Sequence, residues 1–78
     1  MPPAMIVVNP PRSGVGDRGM AAIGRIRSDR LAYLSCNPFS LLRDLADILD
    51  VYDLRSLTIY DMFPQTRHFE ILALLESR

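Results

Sequence analysis

The sequence predicts an α/β protein: a four-stranded mixed sheet, its last strand antiparallel, with two helices. Three observations lead there. Short apolar, β-branched runs alternate with helix-like segments and give the order β-α-β-α-β-β. The last two runs are separated by only a short turn and so form a hairpin, whereas the longer connections before them suit parallel crossovers. The run "ILALL" is apolar on both faces, and such a strand belongs inside a sheet. The expected spatial order is first, second, fourth, third.

The elements follow from local chemistry. "AMIVVN" is stopped by Pro10-Pro11 and reads as a buried strand; at the end of the sheet it would leave an unpaired edge. "RSGVGDRG" is a glycine-rich loop. From Asp17 to about Arg27 runs a weak helix with Met20, Ile23 and Ile26 at helical spacing and Gly24 against it. "RLAYLSC" is the second strand. Asn37 then serves as N-cap and Pro38 as first helical residue. Phe39, Leu41, Leu42, Leu45, Ile48 and Leu49 make an apolar stripe, with Arg43, Asp44 and Asp47 opposite. "LRSLTIYDM" is the third strand, "FPQT" turns the chain, and "HFEILALLES" is the fourth.

Composition narrows the function classes. A chain of 78 residues holds at most one small domain, and 49% apolar content argues for a globular one. A net charge of +0 argues against a binder that works by bulk charge. Every basic residue is arginine, which suits phosphate contacts, but a GC-rich coding bias explains the same usage and is the preferred reading. One cysteine makes no internal disulfide, and no Cys or His cluster has metal-ligand spacing, so no metal site is expected. "MPPAMIVVNP" has neither a basic n-region nor a long apolar stretch, so neither a signal peptide nor a membrane span is read there. A cytoplasmic setting is the expectation.

In open α/β sheets ligands bind outside the carboxyl ends of the parallel strands. Asn9 ends the first strand, Cys36 the second, and Asp61 and Met62 the third. The fourth starts at that same rim with His68 and Glu70, two residues apart and so on one side. Each stretch alone has an ordinary explanation. A lone cysteine is usually a small buried hydrophobe, "NPPRSG" terminates a strand, and "HFE" is a polar strand entrance. Cys36 differs in lying just before a helix start, where free N–H groups and the helix dipole favour negative charge.

Together "VVNPPRSGVG", "AYLSCNPFSLLRDL" and "YDMFPQTRHFEILALL" resemble, in order and spacing, the last three motifs of the S-adenosylmethionine-dependent RNA (uracil-5-)-methyltransferases. That family modifies transfer RNA and large-subunit ribosomal RNA. Many members have Asp-Pro-Pro-Arg where this chain has Asn9-Pro10-Pro11-Arg12, and the Asn form is more similar to a branch acting on 23S ribosomal RNA. The resemblance implies a Rossmann-like class I methyltransferase fold, S-adenosyl-L-methionine as cofactor and RNA as partner. It implies Cys36 as the nucleophile and Glu70 as the base, with Asn9, Pro10, Arg12 and His68 beside the substrate.

Gly14, Gly16 and Gly19 spell G-x-G-x-x-G, but the acidic residue required about 20 residues on is replaced by "YLSCN", so the dinucleotide reading is rejected. The resemblance makes residues 1–78 the carboxyl-terminal fragment of a catalytic domain without its cofactor-binding strands. On that basis the chain alone is expected neither to bind the cofactor nor to methylate RNA. Three rivals are weaker or different in kind. An amino-methyltransferase wants an aromatic residue after "NPP", where Arg12 stands. A cysteine hydrolase pairing Cys36 with His68 lacks an oxyanion-loop signature. The serious rival is a folded structural module with no catalysis of its own.

Overall fold

A computed structural model of the chain describes residues 4–63 and 68–78. The elements are β1 (Met5–Val8), α1 (Asp17–Ile26), β2 (Arg30–Ser35), α2 (Pro38–Ala46), β3 (Tyr52–Phe63) and β4 (His68–Ser77). They form one sheet in the order β1-β2-β4-β3, as the sequence predicts. β1 and β2 are parallel, and β4 runs antiparallel to both its neighbours. The turn read at "FPQT" falls, apart from Phe63, outside the described residues.

Alternation divides the sheet into two unlike faces. Leu31 and Tyr33 of β2 pair in register with Leu75 and Ala73 of β4. All four are buried with Ile71, with Met20 from α1, and with Leu41 and Leu45 from α2. The helices therefore cover this face. On the other face Leu72 is half-buried and Leu74 exposed. The reading of β1 as a buried strand is corrected here: Ile6 and Val8 pack on the core, but Met5 is 48% and Val7 72% exposed. β1 lies at the end of the sheet, so one of its two sides has no strand beside it among the described residues.

A second correction concerns α2 and the turn after it. Phe39 and Leu42 of α2 and Leu49 beyond its end are exposed, Phe39 by 81%, while Asp44 is fully buried. The physical reason is angular. At 3.6 residues per turn, Asp44 lies roughly 60° from Leu41 on the side of Ile48, whereas Phe39 and Leu42 lie about 100° or more away from Leu41. The buried arc therefore runs through Ser40, Asp44, Ile48, Leu41 and Leu45, and its polar end faces the loop after β1. In α1 only Met20 is fully enclosed, and Ile26 is exposed.

The far end of β4 is firmly held. Ser77 N–H donates to the Asp29 carbonyl (2.9 Å) and Arg78 N–H to that of Val51 (3.0 Å). The Arg78 guanidinium reaches the Leu49 carbonyl (2.8 Å) and the Asp53 carboxylate (2.9 Å).

Candidate active site

The strand-to-helix turn that carries Cys36 is held by its neighbours. Ser35 Oγ donates to the Asn37 carbonyl (2.9 Å) and accepts the Asn37 N–H (3.0 Å), bracketing the cysteine. Asn37 caps α2 as the sequence predicts: its Oδ1 accepts the Phe39 N–H (3.0 Å), and Pro38 follows as the first helical residue. Cys36 is half-buried on this turn.

Sheet register brings the fourth strand to it. Ser35 pairs with Ile71, and one step further along both chains stand Cys36 and Glu70. Glu70 is half-buried, and alternation turns it to the side of Leu72, away from the helices. His68 opens β4, but its side chain lies outside what is described. Asn9 and Arg12 are exposed and Pro10 is half-buried in the loop that leaves β1.

That loop is fastened to α2 at several points, among them the Arg43 guanidinium, which donates to the Ser13 carbonyl. Asn37 Nδ2 (3.1 Å) and Ser40 Oγ (2.9 Å) both donate to the Arg12 carbonyl. Three and four residues on, the Val15 N–H (2.7 Å) and the Gly16 N–H (3.3 Å) donate to the two oxygens of Asp44. The Tyr33 hydroxyl also donates to Asp44, and the Arg43 guanidinium lies 3.6 Å from it. Burial pushes the Asp44 carboxyl up, but the hydrogen bonds from Tyr33, Val15 and Gly16 and the Arg43 charge outweigh it and leave it below its ordinary value. Burial and the carboxylate neighbour both push the Tyr33 hydroxyl well up.

Asp44, Ser35 and Ser40 hold the loop and the turn of the site, and motif reading passes over them; Tyr33 supports Asp44 from within the core. A signal for Asp44 does exist: an acidic residue on the helix arc shared by Leu41 and Ile48.

The same contacts decide whether the glycine loop suits a cofactor. A Gly-rich turn that holds one offers free backbone N–H groups. Here those of Val15 and Gly16 are taken by Asp44. A Cβ on Gly14 would lie 2.8 Å from Asp44 Oδ2 and from an Arg43 nitrogen, so the loop is packed against α2. It does not fit S-adenosylmethionine as a cradle.

The family model for tRNA (Uracil-5-)-methyltransferase matches residues 3–78. The chain belongs to that family. Similar relatives include an uncharacterized RNA methyltransferase of Listeria innocua, 41% identical over 97% of this chain and 17% of its own length. Another is the 23S rRNA (uracil(747)-C(5))-methyltransferase of Shewanella pealeana, 40% identical over 94% of this chain and 19% of its own. A similar solved structure is the tRNA (uracil-54, C5)-methyltransferase of Pyrococcus abyssi in complex with S-adenosyl-L-homocysteine. It has a TM-score of 0.81 and 33% identity, covering 92% of this chain and 18% of that one. The likeness supports a Rossmann-like methyltransferase fold. The chain spans about a fifth of the length of the relatives it matches.

Proposed function

We propose that this chain is the carboxyl-terminal part of the catalytic domain of an RNA methyltransferase that forms 5-methyluridine, in 23S ribosomal RNA. Cys36 is its nucleophile and Glu70 its base. The observation that supports this most is the β2–β4 register, which sets the thiol turn and the carboxylate across from each other at the rim where the Asn9–Arg12 loop arrives. The naming of relatives for 23S rRNA favours the ribosomal substrate, and the archaeal neighbour keeps the transfer-RNA branch as the second reading.

Carbon 5 of uracil is a poor nucleophile. Addition of the Cys36 thiolate to carbon 6 makes the ring an enolate, which is nucleophilic at carbon 5. S-adenosylmethionine, which residues outside this chain would hold, would supply the methyl group to carbon 5, its sulfonium leaving as the thioether S-adenosylhomocysteine. Glu70 then takes the proton from carbon 5, and the electron pair left behind expels the thiolate, restoring the 5,6 double bond. Asn9, Pro10 and Arg12 line the approach of the flipped base. Asn9 donates a hydrogen bond to the base edge, which an ionised Asp cannot do. His68 stands beside Glu70 at the entrance of β4.

The two roles separate in mutants of the intact enzyme. Cys36→Ala forms no covalent RNA complex. Glu70→Gln keeps its size but accepts no proton, so protein and methylated RNA accumulate as an adduct that survives denaturing electrophoresis. Loss of a general base typically slows a step on the order of a hundred- to ten-thousand-fold, enough to make that species visible. Release of free methylated RNA by Glu70→Gln at the normal rate would remove Glu70 from the role. A folded intact protein with no activity on any uracil would leave the structural module as the better reading.

A further inference from the structure

Among the described residues Asp44 is the one acidic side chain that is fully enclosed. A carboxylate in that position is unfavourable unless its oxygens are satisfied. Its donors come from outside its own helix: Val15 and Gly16 from the loop after β1, and Tyr33 from β2. Gly14 and Gly16 take φ of +88° and +91°, and the tight approach at Gly14 admits no side chain. The same helix holds the loop again through Ser40 and its cap Asn37, both on the Arg12 carbonyl. The helix that carries both fastenings begins two residues after Cys36.

We infer that Asp44, assisted by Ser40, is a positioning residue for methyl transfer, fixing the Asn9–Arg12 segment against the helix that follows Cys36. The inference rests on the proposed roles of Cys36, Asn9 and Arg12. Asp44 touches no reacting atom. It acts through the loop, and holds the groups that read the base at one spacing from the thiol that attacks it.

Asp44→Asn tests this in the intact enzyme. The amide presents its NH₂ group to at least one of the three donors, and a donor facing a donor pushes the loop away. A displacement of about 1 Å at a reacting group lowers rate on the order of a hundred-fold, and a loss of that order is expected in kcat with KM for S-adenosylmethionine unchanged. Tyr33→Phe leaves both loop amides on the carboxylate, so it lowers Tm yet keeps kcat within about threefold. A merely structural Asp44 would instead make kcat follow Tm in both variants. Ser40→Ala, which a helix accepts readily, removes one of the two bonds to the Arg12 carbonyl and reduces kcat several-fold without unfolding the protein. Wild-type kcat in folded Asp44→Asn, or in Ser40→Ala if the former does not fold, overturns the inference.

Amide hydrogen exchange on the 78-residue chain tests the fastening itself. Val15 and Gly16 are expected to be protected like Leu31 and Ala73 in the sheet. Exchange at exposed-loop rates overturns the inference, whatever the RNA assay reports. An intact wild-type enzyme that methylates no uracil counts against the proposed function, while protection at these two amides still decides whether the clasp exists.

Discussion

Tyr33→Phe removes one oxygen from the centre of the molecule and leaves the ring's packing in place. Tyr33 is completely enclosed, so no water replaces the lost bond to Asp44. A hydrogen bond to a charged group contributes about 1.5–3 kcal/mol. Because Asp44 keeps its bonds from Val15 and Gly16 and the nearby Arg43 charge, the cost belongs at the lower end, about 1.5–2 kcal/mol. For a chain of 78 residues, whose whole stability is roughly 4–12 kcal/mol, that is a large share. With a urea slope of about 1 kcal/mol per molar for so small a domain, the unfolding midpoint falls by roughly 1.5–2 M. Far-UV circular dichroism during urea titration measures it directly. A midpoint unchanged within error, at unchanged slope, would mean that the hydroxyl and carboxylate contribute nothing to one another, and the account of Asp44 as a satisfied buried charge would fail with it.

Further outcomes follow from the same contacts. Asp44 has a depressed folded pKa, so its contribution is complete above its ordinary value of 3.8 and is lost as pH falls through the folded value; acid unfolding of the wild type should show a component that Asp44→Asn lacks. Tyr33 is shifted the other way, so its contribution is complete below 10.0 and declines as pH rises beyond it, a loss absent from Tyr33→Phe in alkaline melts. Gly14→Ala puts a side chain at φ +88° against Asp44 and Arg43, and should cost about 1–3 kcal/mol for the backbone alone in thermal melts. Isothermal calorimetry should find no micromolar binding of S-adenosylmethionine to the 78-residue chain, since its glycine loop is closed by α2. The exposed edge at Val7 should promote self-association, which sedimentation would show decreasing in Val7→Lys.

Sheet order, strand pairing and the cap of α2 were legible because each depends on local pattern: alternation in "ILALL", the short hairpin connection, and Asn-Pro at a helix start. The rim that gathers Asn9, Cys36 and Glu70 followed from that topology without any knowledge of side-chain contacts. What sequence misjudged was orientation. β1 is apolar at every position, so its composition hides the fact that Met5 and Val7 face away from the helices. In α2 the apolar residues span more of the helix than one interface covers, and charge ordinarily marks the solvent side. Asp44 breaks that rule because its partners, two loop amides and a tyrosine hydroxyl, come from segments distant in the chain. Pattern within one helix carries no information about donors that arrive from elsewhere.

The alignment of Cys36 with Glu70, one step beyond the Ser35–Ile71 pair, is set by a ladder whose pins stand at its opposite end. Seven residue steps lead from Glu70 to Ser77, roughly 24 Å of extended chain. There the Asp29 and Val51 carbonyls, with Leu49 and Asp53, clamp Ser77 and Arg78. A slip of one residue would turn Glu70 towards the helices, and a slip of two would bring His68 or Leu72 level with the thiol. The sheet thus works as a graduated rule: its scale is fixed where Arg78 is clamped, and it is read where Cys36 stands. Loosening Arg78 should misalign a carboxylate at the far end of the strand while leaving every neighbour of that carboxylate chemically intact.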